Sequence, residues 1–232
     1  MSKKTATATS TVEDYLKVVL VHQQRHQGQR VGMGEIASAL EVAPGTVTAM
    51  MKTLSESGLV DYEPYSGVLL TESGHRLAAH VQRRHRLIEL FLVEVMKLDW
   101  SEVHAEAELL EHAVSDRLIE RMDEMLGHPS TDPHGDPIPD STGCFEEPSD
   151  LETLLACAVE KPVQIVRVRD QSAEFLKLLE RDGLMPGTAL TVLDRNDAAD
   201  TVELRVDGED GRARRVSLGQ RAAAKILVSA EV

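Results

Sequence analysis

The sequence predicts a mainly α-helical protein with a small β module toward its C-terminal end. Three observations carry this. Residues 12–71 read as helices closed by a hairpin, residues 74–126 as two long helices with one-sided apolar residues, and the pattern after Pro162 becomes alternating and punctuated by glycine. With 232 residues and 42% hydrophobic side chains, the chain has room for more than one small domain and can bury real cores. Aromatic residues make up only 3%, so those cores must be built from Leu, Val, Ile, Ala and Met.

In chain order, apolar residues recur at Tyr15, Leu16, Val18, Val19, Leu20 and Val21, which predicts a helix over residues 12–24 with Thr11 as its cap. Asp14 falls near its start, where the helix dipole favours a carboxylate. The polar run from His26 to Arg30 contains Gly28 and reads as a loop. A short helix from Glu35 to Leu40 follows, then a turn through Val42 and Ala43. Pro44 suits the first position of the next helix, where its missing N–H costs nothing. That helix runs to Ser57 and stops at Gly58; it buries Val47, Met50, Met51 and Leu54 and exposes Thr46, Thr48, Ala49 and Lys52. Two helices joined by a tight turn are the helix-turn-helix arrangement. Strand-like runs at Leu59 to Tyr62 and Val68 to Thr71 complete a winged helix, with Tyr65 and Ser66 on the wing. The competing reading is a helical hairpin that binds protein.

Gly74 to Leu98 reads as one long helix with Leu77, Val81, Leu87, Ile88, Phe91, Leu92 and Val95 on its apolar side. After a break at Trp100 and Ser101, Glu102 to Leu126 reads as a second. Neither can bury its apolar side on so small an N-terminal domain, so the surplus predicts a dimer surface. Gly127 to Asp150, with Pro129, Pro133, Pro137, Pro139 and Pro148, has the composition of a linker, and His128 and His134 read as loop residues. Beyond it, Val163 to Val168 alternates as a strand, Ser172 to Asp182 reads as a helix, and Leu190 to Leu193 and Val202 to Val206 as strands. With Gly183, Gly187, Gly208, Gly211 and Gly219 between them, they predict a β-rich module of about 70 residues.

The formal charge of −14 is unevenly placed. Residues 1–75 carry 6 basic and 8 acidic groups (net −2), residues 76–143 carry 7 and 14 (net −7), and residues 144–232 carry 12 and 17 (net −5). Nucleic-acid contact is therefore permitted only at the N-terminal end. Cys144 and Cys157 lie outside every motif, which argues against a disulfide framework and for a reducing compartment. No apolar run approaches the roughly 18 residues of a membrane span, and Lys3 and Lys4 precede no apolar stretch, so a soluble, cytoplasmic protein with no membrane partner is expected.

The acidic middle also holds the chemistry. In the run His104, Ala105, Glu106, Ala107, Glu108, Leu109, Leu110, Glu111, His112, a helical period of about 100° per residue places His104, Glu108, Glu111 and His112 within one arc roughly 100° wide. His85 and Glu89 form a second pair, at i and i+4 on the preceding helix. Carboxylate oxygens and imidazole nitrogens without a thiolate suit a divalent first-row metal. Solvated helices carrying chance acids and histidines are the alternative.

Five segments now combine: Glu13-Asp14-Tyr15-Leu16; Val47-Thr48-Ala49-Met50 with Gly58-Leu59-Val60; Arg84-His85-Arg86-Leu87 with Glu89; Val103-His104 with Glu111-His112; and Gly135-Asp136-Pro137-Ile138-Pro139. Together they make the chain, from Val12 to about Val228, resemble the diphtheria-toxin-repressor family of metal-dependent transcriptional repressors, and within it the manganese-sensing branch. The resemblance implies a winged helix-turn-helix DNA-binding domain at 1–75, a helical metal-binding and dimerisation domain at 76–143, a linker at 144–160 and an SH3-like (FeoA-like) β domain at 161–232. It also implies a primary metal site of Asp14, Glu108, Glu111 and His112, and a second of His85, Glu89, His104, Gln171 and Glu174.

Iron-type members place a sulfur ligand at the two positions held here by Asp14 and Glu108. Carboxylates harden the site, so Mn²⁺ is the expected ion, with Fe²⁺ the rival. Lys17 stands where some manganese members carry a further acid, which argues against a two-ion cluster. Without metal, Asp14, Glu108 and Glu111 are expected to repel one another and leave the first helix loose. The implied partners are a second copy of the chain and double-stranded DNA with a palindromic operator, and the implied role is repression of manganese-uptake and homeostasis genes. Thr46, Thr48, Ala49, Lys52, Tyr65 and Ser66 are expected at the DNA, assisted by Lys3, Lys4 or Arg30. Two other classes stay open. A di-metal carboxylate enzyme would use repeated Glu-x-x-His, which is not the spacing here, and no nucleophile is recognisable, so an enzyme is not expected. A winged-helix regulator whose C-terminal module binds an organic ligand or a partner is the other.

Overall fold

A computed structural model describes residues 9–26, 28–145, 150–208 and 213–230. Lys3, Lys4, Pro148 and Gly211 lie outside the described residues. The chain divides into two compact units. The first comprises the described residues up to His85, with Glu111–Val114 and Pro139–Phe145; the second comprises Arg86–Leu110, Ser115–Ile138 and the described residues from 150 onward.

The first unit opens with α1 (Ser10–Arg25). Its cap is Thr9 and not Thr11: the Thr9 hydroxyl accepts from the Val12 N–H, so Ser10 and Thr11 are already helical before the first apolar residue. Next come α2 (Met33–Ala39), whose first-turn Glu35 reaches back to the Gly32 N–H at 2.9 Å, and α3 (Pro44–Glu56), begun by Pro44 as the sequence predicts. Strands β1 (Val60–Glu63) and β2 (Gly67–Leu70) form the antiparallel wing, in register from Val60 opposite Leu70 to Glu63 opposite Gly67. Gly67 has φ +113°, and a Cβ there would stand 2.5 Å from the Val31 carbonyl oxygen, so only glycine lets the wing close on the bridge between Val31 and Val68. Tyr15, Leu16, Val19, Ile36, Val47, Met51, Leu54, Val60 and Val68 form one buried cluster behind these elements.

Helix α4 (Glu72–Glu94) begins in this unit and continues into the second. The second predicted long helix is not continuous: α5 covers Val103–Leu110 and α6 covers Asp116–Met125, with a turn between them. The cause is tertiary. Glu111 is fully buried and its carboxylate is claimed by Lys17 and His85, while Ser115 takes an extended cap conformation that starts α6. Glu111 and His112 therefore leave the helical arc on which periodicity places them.

The second unit is built on a six-stranded antiparallel sheet: β3 (Glu152–Thr153), β4 (Pro162–Val168), β5 (Ala189–Asn196), β6 (Thr201–Asp207), β7 (Ala213–Gly219) and β8 (Ile226–Ala230), in the order β3-β8-β4-β5-β6-β7. Helices α7 (Ala173–Arg181) and α8 (Gln220–Ala223) accompany it. Its core holds Ile165, Leu176, Leu179, Leu190, Leu204 and Val228. Residues 152–157, expected in the linker, belong to this body: β3 pairs with β8, Leu154 and Cys157 are buried, and Arg195 donates to the carbonyls of both.

The proline-rich stretch before it is also packed rather than linker-like. Asp132 and His134 are buried, and Arg86 donates to the Pro137 carbonyl. Gly135, at φ +86°, lies so close to the Val166 carbonyl that any side chain would collide with it. In the first unit Arg83 likewise donates to the Pro139 carbonyl at 3.0 Å. Buried guanidinium groups satisfy carbonyls that proline-rich backbone cannot pair in a ladder.

Candidate metal centre

In the first unit, α1 and the turn after α5 bring four acids and bases together. The His112 ring lies between two carboxylates, with Nδ1 2.7 Å from Glu13 Oε2 and Nε2 2.8 Å from Asp14 Oδ1. Nε2 is also 3.4 Å from Glu111 Oε1. Glu111 in turn meets Lys17 Nζ at 2.6 Å through Oε1 and His85 Nδ1 at 2.6 Å through Oε2. Arg84 lies 3.9 Å from the far oxygen of Glu13. The expected repulsion among Asp14 and Glu111 is thus offset by the chain's own cations, and α1 is tied to the turn by hydrogen bonds.

Asp14, Glu111 and His112 each offer one donor atom within 4.8 Å of the other two. Two hard oxygens and one imidazole nitrogen fit a divalent first-row ion. Glu13, behind the ring, holds the imidazole as carboxylates hold metal-bound histidines. Sequence reading gave Glu13 no role; its adjacency to Asp14 was the available signal, because consecutive helical residues can address one ring from two sides. Glu108, placed in this set by the resemblance, is on α5 in the second unit, with Oε1 3.8 Å from His104 Nε2.

Electrostatics follow the contacts. Burial of the His112 ring opposes its charge, but Glu13, Asp14 and Glu111 outweigh that and hold its pKa above the usual 6.5. Burial of Glu111 favours its neutral form, yet the His85 hydrogen bond and the Lys17 charge prevail and hold it below 4.5. His112 therefore contributes stability that is full below its unfolded pKa and is lost as pH rises through the raised folded value; Glu111 contributes stability above its unfolded pKa that is lost on acidification. The denaturant midpoint of chelated wild type, compared with His112→Gln, is expected to fall from about pH 6 to pH 8 while the variant changes less over that interval. Parallel slopes would contradict the placement of His112 between carboxylates.

The second unit holds another set. Glu89, Asp132 and His134 are buried and offer donors within 4.8 Å of one another. His134 Nε2 donates to the Trp100 carbonyl at 3.0 Å and the ring stacks on Trp100, which fixes the tautomer. Its Nδ1 has no hydrogen-bond partner among the described residues and lies 3.9 Å from Glu89 Oε2 and 4.0 Å from Asp132 Oδ1. Asp132 Oδ1 is held by the backbone N–H groups of His134 and Asp136 at 2.8 and 2.9 Å, so a neutral imidazole nitrogen and two carboxylates are turned toward one another at distances a cation could share. Burial, then the neighbouring charges of Asp136 and Glu89, push Asp132 well above the usual carboxylate range.

Glu89 Oε1 faces the other way, toward His104 Nδ1 at 3.1 Å. Of the remaining residues implied for a second site, His85 contacts Glu111, Gln171 donates to Asp136 Oδ2 at 2.8 Å, and Glu174 is exposed in the first turn of α7. Asp132 and His134 were hidden by the linker-like composition around them, although Gly135 to Pro139 beside them was singled out.

On α3, Thr46, Ala49 and Lys52 are exposed and Thr48 is half-buried, its hydroxyl donating to the Pro44 carbonyl. Tyr65, at φ +68°, stands fully exposed at the tip of the wing. Thr48, Lys52, Tyr65 and Ser66 line a cleft of about 510 Å³ between helix and wing. Arg30 pairs with Asp61 at 2.5 Å and Glu63 at 3.5 Å.

A winged helix-turn-helix and carboxylate–imidazole clusters in one chain define a metal-binding, DNA-binding protein. The families described as "Iron dependent repressor, N-terminal DNA binding domain" and "Iron dependent repressor, metal binding and dimerisation domain" match residues 7–68 and 71–140, and the FeoA domain family matches residues 152–230. The chain is 32% identical over 194 residues to the iron-dependent repressor IdeR of Mycobacterium tuberculosis, covering 78% of this chain and 83% of that protein. It is 29% identical over 196 residues to the diphtheria toxin repressor of Corynebacterium diphtheriae, covering 80% and 85%. A solved structure described as a manganese-dependent transcriptional repressor complex with manganese is 38% identical, with a TM-score of 0.83 over 95% of this chain and 100% of that one. The chain belongs to the iron-dependent (diphtheria-toxin) repressor family. It is a metal-dependent, DNA-binding and dimerising transcriptional repressor, and not an enzyme. Among the described residues, no helix is long and apolar enough to cross a membrane.

Proposed function

We propose that this repressor responds to Mn²⁺, binds a palindromic operator as a two-fold dimer in the cytoplasm, and controls genes of manganese uptake and homeostasis. The observation that carries the choice of ion is the donor set of Asp14, Glu111 and His112, two carboxylates and one imidazole with no sulfur. Glu108 is the fourth ligand that the resemblance implies, and it too is a carboxylate where iron-type members carry sulfur. Likeness to the manganese-dependent repressor described above supports the same ion. Fe²⁺ remains the second reading, favoured by the relatives named iron-dependent.

A bound divalent ion supplies positive charge to a site whose acids otherwise rely on Lys17, Arg84 and the hydrogen bonds of His112. Asp14 and Glu13 lie in the first turns of α1, and Glu111 and His112 lie in the turn after α5, so ligation fastens α1 of the DNA-reading unit. Two such units held about one DNA turn apart, roughly 34 Å, would present α3 to successive major grooves. Moving that equilibrium from 1:99 to 99:1 takes about 5.5 kcal/mol of preference for the binding-competent form. Lys52, with Thr46, Thr48 and Ala49, meets phosphates and base edges, and Tyr65 and Ser66 meet the backbone beside them. The buried Glu89, Asp132 and His134 form a second ion site; the set that the resemblance implies, His85, Glu89, His104, Gln171 and Glu174, is the alternative.

The test selects operators from a pool of random duplexes with purified protein and Mn²⁺, then measures binding of the winner across titrations of Mn²⁺, anaerobic Fe²⁺ and Zn²⁺, for wild type and Glu108→Ala. Mn²⁺-dependent binding by wild type, weakened in the variant, is expected. Equal binding by both proteins with and without metal would sink the reading. A preference for Fe²⁺ at equal free concentration would replace Mn²⁺ with iron.

A further inference from the structure

A third group of ligand-type side chains lies apart from both centres, where α1 ends beside α2. His22 and His26 occupy i and i+4 of the last turn of α1 and its cap, with ring centroids 6.3 Å apart and planes only 12° from parallel. Glu35, in the first turn of α2, puts Oε1 2.9 Å from His26 Nε2. All three residues offer a donor atom within 4.8 Å of the other two. Glu35 does not reach there by chance rotation: its other oxygen is anchored by the Gly32 N–H at 2.9 Å, which fixes the carboxylate while leaving Oε1 turned to the histidines. Partial burial, and then the charge of Arg25, hold the His22 pKa below 6.5, so this ring is in the neutral form that ligates at pH 7.

We propose that His22, His26 and Glu35 form a third metal site, one that takes a Zn²⁺-class ion and ties α1 to the first helix of the helix-turn-helix. Two imidazoles and one carboxylate, with a fourth position left to water, are the ligand number and type of three-ligand zinc sites. Such a nitrogen-rich set follows the general affinity order, in which Ni²⁺, Cu²⁺ and Zn²⁺ stand well above Mn²⁺. The site therefore differs in kind from the oxygen-rich set at Asp14, and the proposal does not depend on which ion that centre prefers. Its place gives it a consequence: α1 carries Asp14 at one end and the two histidines at the other, so Zn²⁺ here would brace the helix that the primary centre uses.

Full-length protein is dialysed against Zn²⁺ or Mn²⁺ and the bound ions are counted, for wild type, His22→Gln/His26→Gln and the single variant His26→Gln, whose side chain is 43% exposed. Both variants are expected to bind one Zn²⁺ fewer per subunit at a free concentration that fills all wild-type sites, and to take up Mn²⁺ as wild type does. Retained Mn²⁺ uptake establishes that the variants are folded. A full Zn²⁺ complement in the double variant, or a wild type that takes no more Zn²⁺ than Mn²⁺, overturns the proposal.

Discussion

His112→Ala is expected to lose Mn²⁺-dependent operator binding by more than about 100-fold at a metal concentration that saturates wild type, because even outer-shell partners of metal-bound histidines are typically worth 10–100-fold. The ring is the only nitrogen donor among the three clustered residues and stands within 2.8 Å of Asp14 and 3.4 Å of Glu111. Removing it separates two carboxylates that share it and leaves Glu13 facing the vacated space. Glu13→Gln provides the graded comparison: it keeps the ring and removes only the charge behind Nδ1, so an intermediate loss of about 10–100-fold is expected. Fluorescence anisotropy on the selected operator measures both, with metal-free unfolding of each variant as the check on folding. An operator affinity for His112→Ala within a few-fold of wild type would contradict the role of this site.

Lys17→Glu is expected to change both stability and stoichiometry. Lys17 is 12% exposed and pairs with a fully buried carboxylate, and removing one member of a buried pair typically costs 3–5 kcal/mol, roughly the loss expected for the chelated variant. The added carboxylate also repels Glu111. In wild type the ammonium supplies one of the positive charges that Glu111 needs, so the centre is expected to hold a single divalent ion. The variant exchanges that tethered charge for another ligand and is expected to hold two. Mn²⁺ should then raise the unfolding midpoint of the variant more than that of wild type, by mass action on a site present only in the folded form. Unchanged ion counts with unchanged metal-free stability would show that Lys17 plays no part in balancing the site.

Much of the fold was legible because local signals agreed with tertiary ones. Pro44 at a helix start, Gly58 at a helix stop and two short apolar runs around Gly67 specify the winged helix from sequence alone. The break between α5 and α6 was not legible, since Ala, Glu and Leu favour helix through residues 104–112 and only the distant claims of Lys17 and His85 on Glu111 override them. The same interactions explain the site. Asp14, which only the resemblance supplied, does come together with Glu111 and His112, but through a turn rather than along one helical face, so periodicity selected Glu111 and His112 for a geometry they do not adopt. Asp132 and His134 escaped for the opposite reason: prolines and glycines that mark a loop in isolation are here pinned by Arg86 and packed against β4. Strands β3, β7 and β8 were likewise missed. β3 has only two residues, and β7 presents Ala213, Arg214 and Arg215 to solvent before its buried alternation begins.

The most direct test of the central claim is anomalous diffraction at the manganese edge from crystals grown with Mn²⁺. A peak bonded to Asp14, Glu111 and His112 is the expected result. No peak there, with His112 still hydrogen-bonded to Glu13 and Asp14, would contradict it.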